Sequence, residues 1–403
     1  MIIQREHELE RIGIKKWALV YGRRKTGKTF LIENFVKYDD YFFVNRDRTV
    51  LSKKDGVRIT YEVFVERLKT GTKEGKTVVI DEFHRLGDQL LDSLQAIGHG
   101  GKVILITSTL FLAKKLIAGR SPIMGLFNEI QVPIISLEDS LTALSKEKLD
   151  NKELVETAIM LREPISIEYF SENKSAKKTM GSILSGSVNA VPALLGEIFM
   201  EEQRADSAIY EGIIRAVANG EVASGGISSS LFSKRLIAKD DASFVQSYLG
   251  VMVQIGLLKR IKVYDKNKYI YKIISPLIRL FFYADEKYGI SQRQISEIES
   301  ERIISELLPH IVEDNIREFM ANKFGLVENV LEAKDYDIDG VLLKFKAPSI
   351  LLEAKWSNSI DSKDIRRAEE NLGRIKAERR ILFVQNKNGL HSKSLEIIDA
   401  HDL

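Results

Sequence analysis

The chain of 403 residues contains no cysteine, and this absence excludes several kinds of chemistry. Disulfide bonds, thiolate zinc sites and cysteine nucleophiles cannot form, so any metal must be held by oxygen or histidine ligands. No apolar run approaches the roughly 20 residues that span a bilayer, and the charged N-terminus does not resemble a signal peptide. We therefore expect a cytoplasmic protein with no membrane partner.

Charge of one sign is also scarce. The formal net charge is +3, which is too small to predict a nucleic-acid partner without a local cluster of basic residues. Hydrophobic residues make up 44% and charged residues 29% of the chain, as in ordinary globular proteins and unlike disordered ones. A chain of this length can form two or three compact domains.

Short apolar runs alternate with amphipathic segments in the first 135 residues. Continuous apolar runs indicate strands that are covered on both faces, and helical segments between them indicate parallel crossover connections. The sequence therefore predicts a parallel α/β sheet over residues 1–135. Its predicted strands are 17–22, 41–45, 77–83 and 102–108.

The remaining residues divide into three further predicted regions. Residues 136–204 have a helical pattern, with a Gly/Ser-rich link at 179–196. Residues 205–290 contain three helical segments and an alternating hairpin, which is the plan of a winged helix. Residues 297–403 contain a long helix, two strands, a charged helix and a further strand, which indicates a second α/β domain.

A phosphate-binding loop is predicted at residues 22–29, "GRRKTGKT", between the first strand and a helix. The segment matches the pattern GxxxxGK[ST], with Gly22 and Gly27 at its glycine positions. In such a loop backbone N–H groups converge on the phosphates, Lys28 reaches the outer phosphates and the Thr29 hydroxyl binds Mg2+. The predicted cofactors are ATP and Mg2+.

The segment "VVIDE" supplies the second element of a nucleotide site. A strand that ends in Asp81 can place its carboxylate where it holds Mg2+ through water, and Glu82 is the candidate base for the attacking water. The strand at 102–108 should end beside them. At that position the hydroxyl group of Thr107 or Ser108 could sense the γ-phosphate. The alternative is that this hydroxyl group only caps a helix. Glu82 favours a hydrolase over a simple switch.

A second group of candidate residues lies in a predicted hairpin near residue 347. If the turn is centred on Ala347, Asp339 lies opposite Lys355 and Val341 opposite Glu353, and the two-residue period places Asp339, Glu353 and Lys355 on one face. Two such carboxylates can hold one or two Mg2+ ions that activate water against a phosphodiester, while the lysine orients the nucleophile. The alternative is a half-buried strand whose polar residues simply face solvent.

Nearby charges strengthen the second group. Glu313 lies on the preceding helix, and residues 355–393 contain ten Lys or Arg against five Asp or Glu. This excess can contact phosphates, although charged helices are often only solvated faces. Basic residues of the predicted winged-helix hairpin also favour DNA, whereas packing against the nucleotide domain is the alternative. These residues are Lys259, Arg260, Lys262, Lys266 and Lys268.

The motifs in order resemble an archaeal-type ATPase family related to the STAND and AAA+ classes. The matching segments are "REHELERI", "GRRKTGKTFLIENF", "VVIDEFH", "ILITST" and "SPIMG". Members carry a winged helix, and many end in a domain similar to the PD-(D/E)XK restriction-endonuclease fold, whose pattern "DIDGV" and "LLEAKW" match. The resemblance implies that Lys28 and Thr29 contact phosphate and Mg2+ and that Asp81 and Glu82 form the hydrolytic pair.

The same resemblance implies a nuclease core of Asp339, Glu353 and Lys355. It also exposes one departure, because Leu126 stands where members commonly carry an arginine after the "SPxxG" glycine. An arginine that stabilises the transition state can increase the rate by about 10³ or more, so its loss would slow hydrolysis unless another arginine, such as Arg120, replaces it.

The sequence thus predicts an α/β protein with four regions: an AAA+-like P-loop ATPase domain at 1–135, a helical lid or linker at 136–204, a winged helix at 205–290 and a restriction-endonuclease-like domain at 297–403. We expect ATP binding and hydrolysis to control DNA binding or metal-dependent DNA cleavage. The alternative, which Leu126 favours, is a slow ATP/ADP switch whose C-terminal modules only bind a partner. Self-association or a protein partner stays open.

Overall fold

A computed structural model describes residues 1–98, 100–109, 125–171, 174–186, 189–201 and 206–403. Within these ranges fourteen strands form two seven-stranded sheets. The strands are β1 Trp17–Tyr21, β2 Asp40–Val44, β3 Val50–Ser52, β4 Val57–Ile59, β5 Thr77–Asp81, β6 Lys102–Thr107, β7 Phe127–Gln131, β8 Leu258–Val263, β9 Tyr269–Ile273, β10 Val327–Glu332, β11 Asp337–Lys344, β12 Ala347–Lys355, β13 Arg379–Val384 and β14 Glu396–Ile398.

The described residues also contain fourteen α-helices and three short 3-10 helices. The α-helices are α1 Glu6–Gly13, α2 Lys28–Phe35, α3 Tyr61–Lys73, α4 Asp88–Ile97, α5 Leu137–Leu144, α6 Asn151–Leu161, α7 Ala176–Gly186, α8 Ala190–Glu201, α9 Ser207–Ala218, α10 Ser224–Ser233, α11 Ala242–Gln254, α12 Pro276–Tyr288, α13 Glu297–Lys323 and α14 Ser362–Gly373. The 3-10 helices are Phe83–Leu86, Pro164–Tyr169 and Ala400–Asp402.

The first sheet has the strand order β4-β3-β2-β5-β6-β1-β7. The five neighbouring strands β2, β5, β6, β1 and β7 are parallel to one another. At the other edge, β3 pairs in the antiparallel direction with both β2 and β4. The predicted parallel α/β sheet is confirmed, and apolar clusters cover both of its faces. Because β6 lies between β1 and β5, the carboxyl ends of these three strands meet at one edge, where a ligand site is expected.

The Gly/Ser-rich segment at 179–196 is not a link, because most of it belongs to α7 and α8. Its small residues permit close helix packing: a Cβ added to Gly181 would lie 2.8 Å from the Ser300 hydroxyl of α13. Among the described helices, none is by itself long and apolar enough to cross a bilayer, and only α7 and α8 together, bent by 72°, reach that length and composition.

The second sheet has the order β14-β13-β12-β11-β10-β8-β9. The three helices and the hairpin predicted for residues 205–275 are present as α9, α10, α11 and β8-β9. However, β8 also pairs in parallel with β10, so the hairpin forms one edge of the C-terminal sheet. One apolar cluster also runs from α5 through α13 to the C-terminal strands. The predicted regions 205–290 and 297–403 therefore share a sheet and a core.

The register predicted for β11 and β12 is wrong by two residues. Val341 pairs with Leu351 and Gly340 with Leu352, instead of Val341 with Glu353. The reason is the turn, which lies at Phe345 and Lys346, both with positive φ (48° and 74°), rather than at Ala347. A shift of two residues preserves the face on which each side chain lies. The predicted residues therefore remain together although their partners change.

Candidate functional site

The loop at residues 22–29 joins β1 to α2 and has a backbone that its glycines require. A Cβ on Gly22 would lie 2.2 Å from the Val132 carbonyl oxygen, so no larger residue fits there without movement. Gly27 caps the start of α2 with φ of 88°, which is the left-handed conformation that glycine adopts readily. The loop therefore presents the N-terminal end of α2 to the carboxyl edge of the sheet, as a phosphate site needs.

Lys28 is buried, and its Nζ donates to the carbonyl oxygens of Gly22 at 2.9 Å and Arg23 at 2.8 Å. The lysine thus curls over its own loop. A cavity of about 620 Å3, a size typical of small-molecule sites, opens above it. Its polar wall brings together five predicted residues, which are Gly27, Lys28, Thr29, Glu82 and Ser108.

The other wall of the cavity is apolar, and sequence reasoning missed it. Ile2 and Ile3, Ile135 and the 3-10 helix at Pro164–Tyr169 line it. Arg5 holds the N-terminal segment in place by donating to the Thr26 and Pro133 carbonyl oxygens at 2.6 and 2.7 Å. The cavity therefore has a phosphate end and an apolar end, which is the arrangement that a nucleotide requires. The early "REHELERI" element was the only signal for this wall.

Asp81 ends β5 beside Thr29, as predicted. Its Oδ2 accepts from the Thr29 hydroxyl at 2.9 Å and from the Tyr41 hydroxyl at 2.7 Å. Burial, together with the charge of Asp81, raises the pKa of Tyr41, so this phenol remains a hydrogen-bond donor. Asp81 Oδ1 is buried with no partner among the described residues. An unsatisfied carboxylate oxygen beside a threonine hydroxyl fits a Mg2+ ion bound to nucleotide phosphates.

Glu82 follows directly, in a left-handed backbone conformation with φ of 57°. This conformation turns its carboxylate away from the strand and into the cavity. There it accepts from the Ser108 hydroxyl at 3.4 Å and forms an ion pair with Arg85 at 2.9 Å. His84 lies 3.6 Å from the same carboxylate and 3.0 Å from the Thr107 hydroxyl. Ser108 thus faces the cavity beside Glu82, and His84, which had no predicted role, connects Thr107 to Glu82.

Leu126 lies just before β7 and packs partly buried against an apolar cluster of the first sheet. The side chain at this position therefore contributes to the core. Arg120, the predicted substitute for the missing arginine, lies outside the described residues.

The C-terminal carboxylates occupy a second site, at β11, β12 and α13. Asp339 Oδ2 accepts from the Ala354 backbone N–H at 2.8 Å, and Lys355 pairs with Glu353 at 2.9 Å. Burial raises the pKa of Asp339, and the charges of Glu313 and Glu353 raise it further. Burial and the neighbouring carboxylates thus both favour the protonated form of Asp339, with Glu313 as its hydrogen-bond partner.

Glu353 is buried, and burial raises its pKa although Lys355 opposes the shift. Its Oε2 has no hydrogen-bond partner in the described part of the chain. However, no group of three or more His, Asp or Glu side chains that could hold a metal ion occurs among the described residues. Asp339 and Glu353, the predicted metal ligands, are thus neighbouring carboxylates that do not form a complete metal-binding site by themselves.

Much of the basic excess at 355–393 is neutralised within the fold. Arg366 pairs with Glu370, Arg379 with Glu396 and Lys387 with Asp402. Arg380 donates to the Leu372 and Ile375 carbonyl oxygens. By contrast Arg367 is exposed on α14, and its charge acts on Lys355. Of these basic residues, Lys355 therefore contacts a carboxylate of the site directly, and Arg367 lies close enough to Lys355 to act on its charge.

The basic residues of the β8-β9 hairpin are also largely paired. Lys259 forms ion pairs with Glu318 and Glu328, and Lys268 pairs with Glu332. Lys266 donates to the Glu332 carbonyl oxygen, and the Arg260 guanidinium lies 4.6 Å from the centre of the Tyr269 ring. These contacts join the hairpin to β10 and α13. Packing thus accounts for most of the hairpin charge that favoured DNA in the sequence.

The sheet order, the loop after β1 and the acidic end of β5 define a P-loop nucleotide-binding domain. Residues 15–141 match the family model of the AAA domain. Residues 142–403 lie outside that match. No curated protein is similar enough to the chain to count as a match.

Several solved structures share a distant likeness with the chain. The Aeropyrum pernix ORC1 protein in complex with DNA is 16% identical, with a TM-score of 0.32 over 72% of this chain and 94% of that one. The Aeropyrum pernix ORC2 protein in its ADPNP-ADP complexes is 12% identical, with a TM-score of 0.34 over 78% and 92%. CDC6P from Pyrobaculum aerophilum is 14% identical, with a TM-score of 0.30 over 75% and 94%.

Proposed function

We propose that the chain hydrolyses ATP and that its nucleotide state controls how the C-terminal half engages DNA. The observation that carries the coupling is a buried connection from the phosphate loop to α12. Arg23 of the loop pairs with Glu163 at 2.6 Å, and the same Glu163 oxygen accepts from the Ser275 hydroxyl at 2.5 Å. Ser275 is the N-cap of α12.

The residues of the first site supply the parts that ATP hydrolysis needs. The loop and Lys28 would hold the phosphates, and Thr29 and Asp81 would hold Mg2+, which would stabilise the developing negative charge. A water oxygen attacks the γ-phosphorus, the bond to the bridging oxygen of ADP breaks, and the water proton passes to Glu82. Ser108 orients Glu82 at 3.4 Å and faces the same cavity. The products are ADP and phosphate.

The Glu163 connection lies where nucleotide binding can act on it. Arg23, Glu163 and Ser275 are each at most 4% exposed, so their bonds are not screened by solvent. Glu163 directly precedes the 3-10 helix that forms the apolar wall of the cavity. Its neighbour Arg162 pairs with Glu318 of α13 at 2.5 Å. One dipeptide thus contacts the phosphate loop, the wall of the cavity, α12 and α13.

The coupling is tested with Ser275→Ala, which removes one hydrogen bond to Glu163. We expect wild-type DNA affinity to differ about tenfold between a non-hydrolysable ATP analogue and ADP, a typical coupling magnitude. The variant should reduce this ratio several-fold, because a hydrogen bond to a charged group contributes roughly 1.5–3 kcal/mol. Fluorescence anisotropy of labelled DNA measures both affinities.

The matched control is Ser296→Ala, which removes the N-cap of α13 without touching Glu163. It should retain the wild-type ratio although it also weakens a helix cap. Equal wild-type affinities in both nucleotide states would refute the coupling. So would an unchanged ratio in Ser275→Ala.

A second candidate activity, metal-dependent DNA cleavage, is supported by the elements around Asp339. Their order along the chain is α13, β10, β11, β12, α14 and β13. Asp339 lies on β11 and Glu353 on β12, the two strands of one hairpin. This order suits the restriction-endonuclease-like fold that the sequence resembles. Asp339 and Glu353 would hold the metal, and Lys355 would orient the water. Arg367 adds a basic group on the solvent side for phosphate.

Replacement of Glu353 with glutamine is expected to bring cleavage of labelled single-stranded, duplex or branched DNA below detection, with Mg2+ or Mn2+ present. The amide cannot supply the negative oxygen that the metal requires. Glu370→Gln, on the exposed face of α14, is the control and should cut as the wild type does. Cleavage should also rise with pH, because the pKa values of Asp339 and Glu353 are raised and only their deprotonated forms bind metal.

The contrary results are equally clear. No cutting by the wild type, under conditions where it turns over ATP, would leave the C-terminal half as a binding module. Cutting that persists at the wild-type rate in Glu353→Gln would show that this carboxylate does no chemistry.

A further inference from the structure

The phosphate cavity contains a positive charge for which no role has been assigned, the guanidinium of Arg85. Arg85 lies in the 3-10 helix that follows Glu82 and lines the cavity together with Lys28, Thr29 and Ser108. The Arg85 side chain is 17% exposed to solvent. The described cavity wall also contains Arg5, which is bound to loop carbonyl oxygens, and Arg24, which pairs with Glu197 at 2.7 Å.

Arg85 is held by contacts to both of its terminal nitrogens, one of which points to Glu82 in the cavity wall. Its Nη1 donates to the Val44 carbonyl oxygen at 2.7 Å, and its guanidinium lies 5.7 Å from the centre of the Phe43 ring. Its Nη2 pairs with Glu82 Oε2 at 2.9 Å. The guanidinium is thus anchored to β2 on one side, while the other side neutralises the candidate base.

An ion-paired carboxylate is a weaker proton acceptor than a free one, because the positive neighbour stabilises its charged form. In the arrangement described, Glu82 is therefore restrained as a base. A terminal phosphate in the cavity would bring additional negative charge beside Arg85 and compete with Glu82 for it. Arginine binds phosphate oxygens with favourable fork geometry, so such an exchange is chemically reasonable.

We propose that Arg85 is a catalytic arginine supplied by the same chain, which exchanges its ion pair with Glu82 for a contact with the γ-phosphate of bound ATP. The exchange has two effects. It releases Glu82 to accept the water proton, and it places positive charge on the γ-phosphate oxygens as the bond to ADP breaks. The inference rests on the proposed ATP hydrolysis. It also explains how a chain with Leu126 in place of the family arginine can still hydrolyse ATP.

Arg85→Ala is expected to lower kcat for ATP hydrolysis about 10²- to 10³-fold, toward the lower end of arginine-finger effects, with KM changed only a few-fold. Arg85→Lys should recover only part of the loss, because an ammonium lacks the guanidinium fork. Arg67→Ala, on the exposed surface of the same domain, is the matched control and should match the wild type. Phosphate release at saturating Mg·ATP measures kcat.

A second readout separates catalysis from structure. Wild-type protein should bind ADP with aluminium fluoride, a mimic of the transferring phosphate, more tightly than ADP alone. Arg85→Ala should bind ADP normally and lose most of this gain, which a merely structural role of Arg85 would not produce.

The outcomes distinguish the two proposals. If the wild type does not hydrolyse ATP, the proposed function fails, and the aluminium fluoride measurement alone decides the role of Arg85. If the wild type hydrolyses ATP and Arg85→Ala retains its kcat, the Arg85 proposal fails while the proposed function stands. A variant that binds ADP with aluminium fluoride as the wild type does would also overturn the proposal.

Discussion

Replacing Lys28 with alanine is expected to abolish ATP turnover and to weaken ATP binding about 10- to 100-fold. The lysine Nζ already lies 2.9 and 2.8 Å from two carbonyl oxygens of the loop, so its charge is fixed where the outer phosphates must lie. A hydrogen bond to a charged group contributes roughly 1.5–3 kcal/mol, which corresponds to this range of affinity. Calorimetric titration with Mg·ATP and phosphate release measure the two effects.

Glu82→Gln is the companion variant because it separates binding from chemistry. It should bind Mg·ATP as the wild type does and lose about 10²- to 10⁴-fold in turnover, the usual contribution of a general base. Lys28→Ala protein that still binds ATP with wild-type affinity would show that the cavity above the loop is not the nucleotide site. Glu82→Gln protein with unchanged turnover would leave the site intact but remove the base from the mechanism.

The phosphate end of this site could be predicted because it is local in the sequence. Gly22 to Thr29 are contiguous, and the loop geometry follows from two glycines and one following helix. Asp81 and Ser108 could be added since parallel strands end at one edge of a sheet. The apolar wall could not be predicted in the same way. Ile2, Ile135 and Ile165 come from three distant segments and meet only in the folded chain.

Tyr41 shows the same limit at the level of one residue. Its segment "YFFVN" was correctly expected to be a strand. The pattern says nothing about which strand lies beside it, and only the observed pairing of β2 with β5 brings the phenol to Asp81. The edge strand β7 was missed for a related reason. Its burial alternates along the strand, unlike the continuous burial of the central strands from which the sheet was recognised.

The number of basic residues in a segment did not show whether those residues are available to bind DNA. The hairpin and the region after Lys355 are both rich in basic residues, yet Lys259 and Arg379 use their charge on carboxylates of neighbouring elements. Such pairs cannot be recognised from the sequence, because their members lie far apart along it. Lys259 is on β8 and Glu328 is on β10, and α12 and α13 lie between these two strands in the sequence. The Lys259 pairs join the hairpin to α13 and β10, and the Arg379 pair joins β13 to β14, so these charges contribute directly to the fold.

The buried ion network behind the carboxylate site leads to the second large prediction. Arg317 of α13 is 1% exposed and pairs with Asp314 and with Glu328 at 2.8 Å, while its Nη1 donates to the Asp339 carbonyl oxygen at 3.0 Å. Burial would raise the pKa of Asp314, but Lys272, Arg317 and Arg279 outweigh it and hold that pKa well below its usual range. Asp314 is therefore charged and depends on its cationic neighbours.

Arg317→Met is expected to destabilise α13 and β11 by about 1.5–3 kcal/mol, because it removes charge-assisted hydrogen bonds from two carboxylates that keep their other cationic neighbours. Amide hydrogen exchange of peptides from these elements measures the local free energy of opening. Arg302→Met, at a position on α13 that is 83% exposed, is the control and should change exchange by less than about 0.5 kcal/mol.

The pH dependence of this loss identifies its cause. A carboxylate whose folded pKa is depressed stabilises the fold above its unfolded pKa, and that stability is lost as pH falls through the folded value. In Arg317→Met the pKa of Asp314 should rise, because one of the cations that lower it is removed, so protonation of Asp314 relieves part of the penalty in acid. The difference between variant and wild type should thus be largest near neutral pH and shrink toward about pH 4. A difference that stays constant with pH would assign the loss to the packing of Arg317 against Gly340 rather than to its charge.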